Sequence, residues 1–281
     1  MKLFVYVIAV VTCAIALAAA VIIAMPSVKA MTSTQAPEPA PQQFSPTPTT
    51  VTTFTPGPIH YAGAPIRTTY PNEVTILKRI GFEIAYDEKR QNPAWVAYKI
   101  TLDKWDEEWK RPSRFSVDPE TLAQISHGDY TNSGYDRGHM APNEAISESY
   151  GRDAQLQTFM MSNVVPQDPD LNQGPWRIFE EFLIEQTKTT DDLWVITGPI
   201  YDTEIELLPN EQIEIPDMLF KVVIDEVDGR IVPLSVIMPQ EAGRRDSWKQ
   251  YRVTIDAAEL ASGWDFLSGM TDEIIIESQK H

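Results

Sequence analysis

The chain predicts an α+β fold, a central and mostly antiparallel sheet flanked by helices, and three observations carry that expectation. Apolar runs of strand length recur at 82–86, 95–100 and 193–197. Two longer runs, 220–227 and 231–238, are separated by Asp228-Gly229, the signature of a hairpin with a two-residue turn. From 175 to 186, Trp176, Phe179, Phe182 and Leu183 recur at helical spacing. Strands gathered together with helices kept apart from them define the α+β class.

The elements follow in order. After Lys2, residues 3–25 are apolar and carry no charge, close to the length that spans a bilayer. Val28-Lys29-Ala30 offers a small-residue cleavage site. Residues 1–30 therefore read as a membrane anchor with its N-terminus inside, or as a long signal peptide. The expectation is an exported protein, anchored and facing outside the cytoplasm, or periplasmic or secreted if that segment is cleaved. Residues 31–58, rich in Pro, Thr and Gln, are a tether that cannot bury enough to fold. The folded body occupies 59–281. Within it, strands 82–86 and 95–100 are joined by a polar connection, and the buried strand at 193–197 is expected to stop at Gly198-Pro199. A second, weaker helix starts near Asp256-Ala257-Ala258-Glu259-Leu260. There are no internal repeats.

Charge and residue counts narrow the chemistry. A net charge of −17 lacks the basic footprint of a tight nucleic-acid binder. A polyanionic substrate would need a local cluster of Arg and Lys and a bound cation. The only cysteine, Cys13, lies in the apolar run, and the histidines are His60, His127, His139 and His281. The body thus has no disulfide, no thiolate nucleophile and no zinc site built from several His or Cys. A metal here must be oxygen-liganded, which points to Mg²⁺ or a relative such as Mn²⁺.

The most informative stretch is Tyr135-Asp136-Arg137-Gly138-His139-Met140-Ala141-Pro142-Asn143. Gly138 and Pro142 punctuate it, and Asp136 and Arg137 resist burial unless paired. It suits neither a core strand nor a helix interior, and is expected to be a charged loop holding an imidazole at the edge of a cleft. Downstream come Ser162-Asn163 with Pro166-Gln167, then Leu171-Asn172-Gln173 with Trp176 and Glu180, then Thr197-Gly198-Pro199-Ile200-Tyr201. In that order these pieces resemble the DNA/RNA non-specific endonucleases, the sugar-non-specific ββα-metal nucleases that include endonuclease G. Trp95-Val96-Ala97-Tyr98 and Val236-Ile237-Met238-Pro239 are similar too, so the resemblance spans about residues 80 to 270.

The resemblance implies a ββα-metal (His-Me finger) fold and metal-dependent hydrolysis of phosphodiesters in both DNA and RNA, leaving 5′-phosphates. His139 would be the general base, and an ordinary imidazole pKa of ~6.5 leaves it mostly neutral near neutral pH. Asn172 would bind Mg²⁺, which assists the leaving 3′ oxygen; its competing role is a helix N-cap. Glu180, eight residues on, lies ~12 Å further along a continuous helix. It would reach the same ion through water, or stand as a solvated carboxylate beside Glu181. Arg137 would clamp phosphate, or pair with Asp136 instead. Arg111 and Arg114 both fall near the register of a phosphate-contacting arginine. Asp136 orients the loop, and Asn163 supports the site from behind. His60 and His281 are structural, and His127 is a turn residue. A catalytically silent nucleic-acid- or metal-binding module on the same fold, anchored at the membrane, is the alternative; an acidic envelope protein with protein partners is a more distant one. DNA and RNA are the expected partners, with the membrane if residues 1–30 stay attached, and a homodimer is allowed.

Overall fold

A seven-stranded antiparallel sheet forms the centre of the molecule. The computed structural model describes residues 56–101, 109–188, 192–202, 204–209, 212–227 and 230–270. The expected anchor, most of the tether, the Asp228-Gly229 turn and His281 lie outside the described residues. Among those described, no helix is long and apolar enough to cross a membrane. The strands are β1 (Ile66–Arg67), β2 (Thr75–Arg79), β3 (Phe82–Asp87), β4 (Asn92–Ile100), β5 (Asp136–His139), β6 (Val164–Gln167), β7 (Leu193–Ile200), β8 (Met218–Val227), β9 (Arg230–Pro239), β10 (Arg252–Val253) and β11 (Trp264–Asp265). The large sheet runs β10-β9-β8-β7-β4-β3-β2, while β5-β6 and β1-β11 form separate two-stranded ribbons.

The apolar runs are unbroken because the central strands are covered on both faces. Val96, Tyr98, Val195, Leu219 and Val223 enter one core with Met140, Val165, Trp176 and Phe179. Trp95, Ala97, Trp194, Ile196, Phe220 and Val222 enter the other with Ile255, Trp264 and Phe266. The elements that carry the suspected chemistry all lie on the first face. They include the helices α1 (Asn143–Tyr150), α2 (Arg152–Thr158) and α3 (Arg177–Gln186), whereas α4 (Ile255–Ser262) covers the second.

Two expectations are corrected. β7 does not stop at Gly198-Pro199 but runs through to Ile200. Past Thr197 it pairs only with β8, so Pro199 interrupts no ladder on the β4 side. A side chain at Gly198 would meet the Ala94 carbonyl oxygen at 2.5 Å, so glycine is required there by close approach. The charged stretch from Asp136 to His139 is a strand, not a loop, antiparallel to β6. A ribbon exposes its polar groups at an edge, so charged residues are tolerated there as they would not be in the main sheet.

A buried ion pair fixes the sheet edge to the segment before β6. Arg79 Nη2 lies 2.6 Å from Asp118 Oδ2, with side-chain exposures of 4% and 1%. The Ser162 hydroxyl donates to the same carboxylate oxygen. Burial alone would raise the Asp118 pKa, but Ser162, the Glu120 backbone N–H and Arg79 together hold it below the ordinary value. Asp118→Ala would leave the buried Arg79 with Glu120 as its remaining carboxylate partner and is expected to cost about 1–3 kcal/mol in urea unfolding at neutral pH.

Candidate active site

The β5-β6 ribbon organises the site. Its register pairs Asp136 with Gln167, Gly138 with Val165 and His139 with Val164. Alternation along β5 puts Arg137 and His139 on one face and Asp136 and Gly138 on the other. The Gln167 side chain lies across Gly138, and a Cβ at that position would sit 1.8 Å from Gln167 Oε1. Asn163 pins the residues after His139. Its Oδ1 accepts from the Ala141 N–H at 2.9 Å, and its Nδ2 donates to the Ala141 and Thr158 carbonyls. Its own backbone carbonyl accepts from the Met140 N–H.

The His139 ring is gripped by two aromatics. Phe115 is tilted against it at 4.9 Å between centroids, and Phe159 meets it edge-on at 4.9 Å. Nε2 is buried and has no protein partner. Burial, then the positive charge of Arg111, push the imidazole pKa down to about 3. Desolvation penalises the protonated form most when no carboxylate stands beside the ring. His139 is thus a neutral imidazole whose buried Nε2 makes no hydrogen bond to the protein.

Three arginines border this face. The Arg111 guanidinium lies over the Phe159 ring, 5.5 Å from its centroid, and so shares an aromatic neighbour with His139. Arg114 acts on His127, whose pKa is lowered by burial, then by Arg137 and Arg114. Arg137 is not paired with Asp136. Its Nε and Nη2 donate to the His127 carbonyl at 3.2 and 2.6 Å, and Nη2 reaches Thr131 Oγ1. His127 opens a 3₁₀ turn, His127–Tyr130, and its Nδ1 accepts from the Phe115 N–H. It is therefore part of the frame around the site, more than the turn residue its sequence suggests. His60 pairs with Glu83 at 2.9 Å, as a structural residue would.

Asn172 is not a helix N-cap. Asp168 holds the N-cap of the single turn Pro169–Leu171, accepting from the Asp170 N–H. Asn172 instead donates Nδ2 to Asp136 Oδ2 at 2.8 Å, and Gln173 Nε2 donates to the same oxygen. The helix then breaks. Gly174 has φ −106 and ψ −118, and any Cβ there would lie 2.7 Å from the Arg244 carbonyl. Regular helix resumes as α3, so the straight-helix separation between Asn172 and Glu180 does not apply. Glu180 is not a solvated carboxylate. Its Oε1 accepts from Lys221 Nζ at 2.7 Å, with side-chain exposures of 18% and 0%. Burial raises the Glu180 pKa and lowers that of Lys221, each opposed by its partner.

Sequence reasoning missed Lys221. Its signal was available, since a lone lysine inside the apolar run of β8 must find a buried partner or deprotonate.

The donor set suits a hard cation. Because Asp136 takes the Nδ2 side of Asn172, the amide turns its carbonyl oxygen away from that carboxylate. Among the described residues no three His, Cys, Asp or Glu side chains cluster as a metal cage. A cation here would rest on the amide oxygen and water, the sparse protein coordination that Mg²⁺ accepts.

A β-ribbon bearing a neutral imidazole, leading through a broken turn that bears an amide into a helix that bears a carboxylate, is the ββα-metal arrangement. Comparison with known proteins agrees. The family model for the DNA/RNA non-specific endonucleases matches residues 64–273, and the chain belongs to that family. A nuclease of Nostoc sp. is 25% identical over 222 residues, covering 75% of this chain and 78% of that one. Endonuclease G, mitochondrial, of Bos taurus is 28% identical and covers 70% of each chain. The mitochondrial nuclease EXOG of Mus musculus is 27% identical, with 69% of this chain matching 61% of its length. The crystal structure of an EndoG/EndoGI complex superposes with a TM-score of 0.67 at 23% identity, covering 73% of this chain and 90% of the matched chain, and so shares the fold.

Two predictions test this geometry. Gly138→Ala drives a methyl into Gln167 and is expected to cost about 1–3 kcal/mol by overpacking, read by thermal melting. His139 also makes the fold acid-sensitive. Above pH ~6.5 the ring is neutral in both states; as pH falls towards 3 only the unfolded chain takes up the proton, so stability drops. His139→Gln should lose less stability than the parent between pH 7.5 and 5.5 in urea titrations, the pH values being about one unit either side of that midpoint.

Proposed function

We propose that the chain is a metal-dependent endonuclease hydrolysing phosphodiester bonds in DNA and RNA, with 5′-phosphate products. The observation that carries the reading is His139, held neutral with an unpartnered Nε2 on the ribbon that also orients Asn172 through Asp136. Nε2 takes a proton from water as its oxygen attacks phosphorus in line. The imidazole is neutral throughout the physiological range, so a ring nitrogen keeps a free lone pair for that proton. Asn172 would hold the cation through its carbonyl oxygen, and Glu180 through intervening water. When bound, a divalent ion, Mg²⁺ or Mn²⁺, supplies positive charge to the phosphoryl group and the leaving 3′ oxygen.

Arg111 is the better phosphate contact of the two candidate arginines, because it shares Phe159 with His139 whereas Arg114 acts on His127. Arg137, tethered to the His127 carbonyl, adds a fixed positive charge on the His139 face of β5. Recognition through phosphates rather than base edges gives little sequence preference. The apolar run at 3–25 and the tether after it support action outside the cytoplasm, at the membrane or released from it.

Nicking of supercoiled DNA and cleavage of RNA by the purified chain test the reading. Activity is expected with Mg²⁺, lost in EDTA, and reduced about 10²–10⁴-fold by His139→Ala. Cutting that survives both treatments would overturn the mechanism. Salt-sensitive DNA binding without cutting would favour the silent module.

A further inference from the structure

We propose that Lys221 is the positioning residue for Glu180. Its ammonium, seated against Trp176, pins one carboxylate oxygen; this rests on the nuclease reading above.

Alternation along β8 places Lys221 between Leu219 and Val223, on the sheet face that packs beneath α3. The pair with Glu180 is lopsided: the ammonium is wholly buried, while the carboxylate is 18% exposed. Lys221 therefore works from inside and Glu180 is the member that reaches outward. Only Oε1 of Glu180 is taken up by the ammonium. The same Nζ lies 4.3 Å from the centroid of Trp176, a cation–π distance. Trp176 is 1% exposed and closes the broken turn Asn172–Trp176. One buried ammonium thus touches the carboxylate helix and the amide turn at once.

A purely structural reason for this lysine is weak. A buried ion pair is often no more stabilising than well-packed apolar residues of similar volume. A methionine would fill the position without a charge to compensate. What a methionine could not do is donate to Glu180 and so fix its rotamer. Groups that orient those nearest a metal affect activity by about 10–100-fold when removed.

The test compares the full chain with Lys221→Met, Lys221→Arg, Glu180→Gln and the double variant Glu180→Gln/Lys221→Met. Steady-state cleavage of DNA is measured with Mg²⁺, and urea unfolding is measured in EDTA. Lys221→Met should lower kcat about 10–100-fold with KM little changed. The double variant should cut no more slowly than Glu180→Gln, and Lys221→Arg should recover part of kcat. In EDTA, Lys221→Met and Glu180→Gln should each be less stable than the parent, and the double variant should regain stability because no uncompensated charge remains. A folded Lys221→Met with the parent kcat, or losses that multiply in the double variant, would overturn the proposal. If Lys221→Met alone does not fold, the comparison of the double variant with Glu180→Gln decides on the same terms. A parent chain that does not cut nucleic acid would defeat the nuclease reading, while the unfolding cycle in EDTA would still report the coupling of the pair.

Discussion

The Asp136 carboxylate holds the site together. Its Oδ2 accepts from Asn172 and Gln173 at once, joining β5 to a turn 36 residues further along the chain. The chain runs from β6 into this turn, and Val165, Leu171 and Trp176 share one core; the bridge adds the polar link that sets the orientation of the Asn172 amide. The break in the helix makes the bridge geometrically accessible. Gly174 packs against the Arg244 backbone, and the Arg244 side chain returns to Gln173 Oε1 at 2.6 Å and to Asp170. The amide turn is thus held from both sides, by a carboxylate on the ribbon and by the loop after β9.

Electrostatics explain how so acidic a chain can handle a polyanion. The net charge of −17 is a whole-chain sum, whereas the His139 neighbourhood contains Arg111 and Arg137. Close positive charge outweighs distant negative charge because salt screens interactions beyond about 10 Å. Burial among Phe115 and Phe159, and then the charge of Arg111, keep protons off the imidazole. Substrate attraction and a neutral base are consequences of one arrangement. On the other side of the site the balance is reversed. Glu180 needs a buried cation of its own, and β8 supplies it.

The sheet was legible in the sequence because its strands are buried on both faces, which leaves unbroken apolar runs at β3, β4, β7 and the β8-β9 hairpin. The helix from 177 to 186 showed through Phe179, Phe182 and Leu183. Less was visible where burial is one-sided or polar. α1 and α2 bury only a few small or apolar residues each, such as Ala145, Ile146 and Ala154, so their periodicity is faint. The ribbon strand β5 was concealed by its charges, since a charged run reads as a loop unless its pairing partner is known. His139, Arg137 and Asn172 could be singled out by residue type and order. Their supports could not, because Asp136–Asn172, Arg137–His127 and Glu180–Lys221 are contacts made by the fold and not by spacing.

Anomalous diffraction from Mn²⁺-soaked crystals of the protein bears most directly on whether the ribbon and the amide turn form one site. A peak beside the Asn172 carbonyl oxygen, across a shared hollow from His139 Nε2, is the expected result. A peak elsewhere, or an imidazole facing away from the ion, would contradict it.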